Sequence, residues 1–172
     1  MEHAFPTVIV LAVALVACAT DVTTRRIPNV LTFGAALAGL AYGAINSGPA
    51  GLLAAIGGWV AGALIFMPFF LLGGMGAGDV KLLAAIGSWI GVPDVLWAAI
   101  YTSIAGGVLA VIVSLARGYL GTALSNIRKM VAYWMTVGPR PYAGLTLESG
   151  TAVRLPYAVP ILIGTVIALW LR

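Results

Sequence analysis

Six apolar stretches, at 5–20, 30–45, 51–72, 80–92, 95–116 and 156–171, govern what this 172-residue chain can become. In hydrocarbon every backbone N–H and C=O must be paired within the protein, which leaves helices for segments such as these. Roughly 20 apolar residues are needed to cross about 30 Å of hydrocarbon. Several of the six are shorter, and 80–92 is very short. Such helices need local bilayer thinning, or an end that opens onto a wet cavity. Only 8% of the residues are charged and 62% are hydrophobic, whereas a soluble domain carries about 25% charged residues. The expected fold is therefore all-α: a polytopic bundle of six transmembrane helices in one domain, 1–172.

Orientation follows from the basic residues. If the six spans alternate, Arg25, Arg26, Lys81, Arg117, Arg128, Lys129, Arg140 and Arg154 share one side, and only Arg172 lies on the other. That arrangement puts the N-terminus outside and the glycine-rich and arginine-rich turns in the cytoplasm. Trp59, Trp89, Trp97 and Trp170 then gather toward the outer interface, as an aromatic belt should. The first span has a rival reading, because "LVAC" ending at Cys18 resembles a lipoprotein cleavage box and "ACA" a signal-peptidase site. Glu2 and His3 precede it, however, while Arg25 and Arg26 follow. That charge order opposes export, so the segment is expected to stay as a span.

The region 117–154 is the one long polar connection. Within it Leu120, Leu124, Ile127, Val131 and Trp134 recur at helical spacing, with Ser125, Asn126, Arg128 and Lys129 between them. This predicts a basic amphipathic helix, lying on the cytoplasmic membrane surface or packed on the protein's own loops. "GPRPYAG" at 138–144 then breaks the pattern. Gly58 with Gly62, and Gly87 with Gly91, form small-xxx-small pairs that serve close helix packing.

The chemistry open to the chain is narrow. A lone Cys18 allows neither an internal disulfide nor a cysteine metal cluster. His3 is the single histidine, at the terminus, which removes most zinc and Ser–His chemistry. No metal or cofactor is expected. The net charge of +4 is accounted for by topology, so no nucleic-acid partner is expected. Carboxylates, hydroxyls and backbone remain.

Of the five acids, Glu2 is terminal, Asp94 lies in the short turn "GVPD", and Glu148 lies in the polar connection. Asp21 and Asp79 differ, because both sit at cytoplasmic ends of apolar segments, where a buried charge is costly and usually functional. The plain alternative is a boundary marker or a helix cap, and Asp79 is well placed to cap the fourth span. Asp21 opens "DVTTRRIPN", with Arg25 and Arg26 within reach of a carboxylate or a lipid phosphate. Pro28 stops the helix there, and Asn29 can cap the next span. Asp79 ends "GGMGAGD", where Gly76 and Gly78 would allow backbone conformations closed to other residues and a close approach by a peptide. Two neighbouring carboxylates cannot both ionise cheaply, so one keeps a proton while the other acts as base. That pairing can activate water against an amide and protonate the leaving nitrogen, with no metal and no nucleophilic side chain.

Three blocks in order carry a resemblance to the type IV prepilin peptidases, GxGD-class membrane aspartyl proteases. "DVTTRRIPN" is similar to the family's first aspartate block, and "GMGAGDVKLLAAIG" contains its GxGDxK signature. "LPYAVPILIG" at 155–164 resembles its last span, more loosely, and no catalytic role is carried onto it. The resemblance implies cleavage of a prepilin leader just before its hydrophobic helix, by aspartates matching Asp21 and Asp79, in the bacterial cytoplasmic membrane. Longer members carry a zinc-binding methyltransferase domain with paired cysteines. This chain has no CxxC, and it looks like the short form associated with Flp-type (tight-adherence) pili.

Arg25 and Arg26 serve as topology anchors more readily than as substrate contacts. Lys81, two residues from Asp79, either meets that carboxylate or faces lipid headgroups. Two other functions fit the composition: a non-enzymatic assembly subunit, which would need neither aspartate, and a small proton-coupled carrier. A carrier would place its acids mid-span in a repeated pattern, and no repeat is evident. The expected partners are thus a prepilin and the lipid bilayer.

Overall fold

The computed structural model describes residues 4–142 and 155–171. Glu2, His3, Glu148, Arg154 and Arg172 lie outside them. Five helices follow in order: α1 (Ala4–Thr24), α2 (Asn29–Leu71), α3 (Ala77–Ala116), α4 (Leu120–Val137) and α5 (Ala158–Trp170). The chain is all-α, and α1, α2 and α3 are long and apolar enough to cross a membrane, with α5 apolar but shorter.

Two of the long helices are broken. In α2 the backbone leaves helical geometry at Ser47 and at Gly48, whose φ is 59°, with Pro49 next. In α3 it does so at Gly91, φ 78°, two residues before Pro93. Positive φ suits glycine, and proline cannot donate to the preceding turn, so each break is written into adjacent residues. At the first break the chain folds back: a Cβ built on Gly43 would lie 2.6 Å from the Gly51 carbonyl oxygen and 3.2 Å from Ala55 Cβ. The first break falls between the apolar stretches 30–45 and 51–72, and the second lies one residue inside the end of the stretch 80–92.

The first half of α3 is the axis of the protein. From Asp79 to Ile90 every residue is buried except Lys81 and Trp89, which are half-buried. A helix apolar on all sides belongs inside a bundle. The short stretch 80–92 is thus surrounded mostly by other helices. Small residues set the spacing. Gly58 of α2 faces the backbone of Gly87 closely enough that either Cβ would overlap the other's carbonyl oxygen, and Gly62 abuts Leu83 and Ala84. Gly58, Gly62 and Gly87 thus serve packing, whereas Gly91, where a Cβ would meet nothing within 4 Å, serves the break in α3 instead.

The bundle has two distinct ends. At one, Phe5, Tyr42 and Trp89 cluster with ring centroids 5.4–6.3 Å apart, and Trp89 Nε1 donates to the Ala35 carbonyl at 2.8 Å. At the other lie the end of α1, the starts of α2 and α3, and the start of α5.

Candidate active site

Asp21 stands in the last turn of α1. Beyond it Arg25 takes φ 56°, a left-handed conformation uncommon outside glycine, so the chain leaves the helix abruptly. The hydroxyls of Thr20, Thr23 and Thr24 donate back to carbonyls one turn earlier, so each hydroxyl is paired within the helix. Pro28 then precedes α2, without a side-chain cap. The expectation that Asn29 caps that helix is corrected: Asn29 is already its first residue, and its Oδ1 accepts from Lys81 Nζ at 3.0 Å.

Asp79 is the third residue of α3. Its Oδ2 accepts the Gly76 N–H at 3.2 Å, satisfying one of the donors a helix start leaves open. The capping role is therefore real. It uses one oxygen of the carboxylate.

Asp21 and Asp79 are both buried, at 8% and 9% exposure. They line one cavity of about 380 Å³ together with Arg25, Arg26, Gly76, Gly78 and Lys81, and with Ile27, Pro28, Asn29 and Ala77. All seven residues singled out in the sequence thus border the same space. Both acids sit at helix ends rather than mid-span, unlike the arrangement expected of a carrier.

Two details differ from the sequence reading. The left-handed glycine of "GGMGAGD" is Gly73, φ 76°, while Gly76 and Gly78 have no unusual φ. What these two supply is space. A Cβ on Gly76 would come within 3.1 Å of Asp79 Oδ2, and one on Gly78 within 3.2 Å of Ile27 Cβ. Lys81 also differs: its ammonium bonds Asn29 and lies 5.2 Å from the centre of the Phe33 ring, so it ties α3 to α2.

The sequence reading missed the contribution of α5. The buried N–H of Ala158, the first residue of that helix, donates to Asp21 Oδ2 at 3.2 Å. A helix N-terminus concentrates unpaired donors and partial positive charge, so it is a natural holder for a carboxylate. Before it, the Tyr157 ring packs edge-on against Phe66, with centroids 6.1 Å apart, and lies against Gly106, where a Cβ would approach its hydroxyl to 2.7 Å. Pro156 ahead of an apolar run was the available signal, since proline favours helix starts. Nothing local tied it to Asp21. Among the described residues, no three His, Cys, Asp or Glu side chains gather as a metal site.

Compared with known proteins, residues 8–111 match the sequence model of the type IV leader peptidase family. The match covers more than half of the chain and includes both aspartates; it ends before α4 and α5. No curated protein and no solved structure matches.

Proposed function

The chain belongs to the type IV leader peptidase family, and from that premise we propose that it is a membrane aspartyl endopeptidase in which Asp21 and Asp79 cleave the leader from a prepilin, one of the Flp type. Aspartic-type peptidase activity is what membership implies at family level. The observation that carries the assignment to these residues is two buried carboxylates, from helices distant in sequence, on the wall of one cavity.

In the proposed reaction the ionised carboxylate takes a proton from water as the water oxygen bonds to the scissile carbonyl carbon. The protonated partner passes its proton to the carbonyl oxygen. The intermediate collapses as the C–N bond breaks: one of its two hydroxyls returns a proton to the second carboxylate and becomes the product's C=O, while the leaving nitrogen takes the proton that the first carboxylate gained. In this scheme Ala158 N–H and Gly76 N–H orient the two carboxylates, leaving the cavity for the peptide.

The proposed topology has six crossings, with α2 and α3 each contributing two halves divided at Ser47–Gly48 and at Gly91. The N-terminus is outside, and the aspartates open to the cytoplasm of a bacterial inner membrane. The first half of α3, about 14 residues at ~1.5 Å each, rises only about 21 Å. A cavity at the Asp79 end accommodates that shortfall, and Arg25, Arg26 and Lys81 at its rim favour the cytoplasmic side.

The test is cleavage of a co-reconstituted prepilin by purified protein. Asp21→Asn and Asp79→Asn each reduce cleavage to background, and the double variant is no worse, because residues that act as one unit do not add. Asp94→Asn remains active. Appreciable turnover by either single variant rejects the dyad.

A further inference from the structure

Helix α4 has a surface that the peptidase reading does not use. α3 ends at Ala116 with Arg117 as its cap, and Gly118 takes φ 63°. Gly118 N–H donates to Leu115 O at 3.1 Å and Tyr119 N–H to Ser114 O at 2.8 Å. This paired closure of a helix end around a left-handed glycine turns the chain off the α3 axis. The second half of α3 runs antiparallel to α5, with Thr102 beside Gly164 and Gly106 beside Tyr157. Ala116 therefore lies beyond the level of Tyr157, and α4 starts on the aspartate side of the bundle.

No residue of α4 is buried. Leu124, Ile127, Val131 and Met135, at successive helical turns, are 44–84% exposed, a contiguous apolar stripe in the direction of water or lipid. Arg128 borders that stripe and Lys129 lies opposite it. Arg117 and Arg140 flank the helix, and from 117 to 142 there is no acidic residue at all. An apolar arc beside a polar face whose only charges are basic matches one kind of surface, apolar just beneath a layer of negative charge.

We propose that α4 lies in the plane of an anionic bilayer surface, on the membrane side that carries the two aspartates. Its apolar stripe enters the acyl boundary, Arg128 at the edge of the stripe and Arg117 and Arg140 at the helix ends pair with lipid phosphates, and Lys129 faces the water. The proposal does not depend on peptidase activity. Neither does its test.

Full-length protein carrying Cys18→Ser receives single cysteines by Leu124→Cys, Ile127→Cys, Val131→Cys, Ser125→Cys or Lys129→Cys. Each is spin-labelled and reconstituted into vesicles of phosphatidylglycerol with phosphatidylcholine, or of phosphatidylcholine alone. In the anionic vesicles, labels at 124, 127 and 131 are reached by oxygen in preference to a water-soluble nickel chelate, and labels at 125 and 129 show the reverse. The contrast is lost in phosphatidylcholine alone. Wild-type protein in nanodiscs of the same two compositions supplies an independent readout: amide exchange across 120–137 is slower in the anionic discs, and the protection disappears at high salt. Three results overturn the proposal. Nickel access at all five positions puts α4 in water. Exclusion of both reagents at 124, 127 and 131 means that protein covers the stripe, whether loops of this chain or a second copy. Equal partitioning in both lipids removes the role of the anionic headgroup.

Discussion

The close approach of α2 to α3 makes a quantitative prediction at Gly58. A Cβ there would overlap the Gly87 carbonyl oxygen, and would lie 2.8 Å from the Gly87 carbonyl carbon and 2.9 Å from Gly91 Cα. All three obstacles are backbone atoms, so no side chain can swing aside. Comfortable carbon contacts begin at about 3.5 Å, so Gly58→Ala must drive α2 and α3 apart by roughly half an ångström or more. Overpacking of this kind typically costs about 1–3 kcal/mol. Alanine recovers up to about 1 kcal/mol over glycine as a helix former. Because every obstacle is backbone, the overpacking cost lies at the upper end of its range, so the net loss is about 2 kcal/mol, and at roughly 2–4 °C per kcal/mol for a chain of this size it lowers the melting midpoint by about 4–8 °C. The control is the same substitution at Gly107, exposed on α3, where a Cβ meets nothing within 4 Å. Gly107→Ala holds or slightly raises the midpoint. Thermal unfolding of the detergent-solubilised variants, followed by loss of the monodisperse peak in size-exclusion chromatography, measures both. Equal midpoints for the two variants would show that the Gly58–Gly87 contact does not set the helix spacing, and the packing argument would fail.

Gly78→Ala presses a Cβ to 3.2 Å from the branched Cβ of Ile27, at the cavity wall; we expect a near-wild-type melting midpoint with prepilin cleavage reduced about tenfold, a barrier change of about 1.4 kcal/mol, and a normal rate rejects the shape argument. Lys81→Gln breaks an exposed link to Asn29, so cleavage should change by less than about fivefold, the upper range for an exposed charged pair. A loss as deep as that of Asp79→Asn would instead make Lys81 part of the chemistry. In a Cys18→Ser background, Thr24→Cys and Ser125→Cys should label from the cytoplasmic side only and Ser47→Cys from outside only, because Ser47 lies at the helix break remote from Asp21; reversed labelling inverts the proposed topology.

Much of this architecture is local, and local features can be read from a string of residues. Apolar run lengths announce the helices, Gly48–Pro49 and Gly91 with Pro93 announce the breaks, and the rarity of acids makes Asp21 and Asp79 conspicuous. Their common depth follows from counting residues to the nearest polar turn. Partners are another matter. That Ala158 N–H holds Asp21, that Lys81 bonds Asn29, and that Gly78 faces Ile27 all depend on contacts between segments far apart or on different helices. In lipid such contacts are chosen by the fit of small residues and by interhelical hydrogen bonds, since apolar side chains gain little by preferring one another to acyl chains. The glycines that permit the fit look alike in sequence. Only the packed bundle separates Gly58, pressed against Gly87, from Gly107, which faces open space, and only there does the start of α5 arrive beside Asp21.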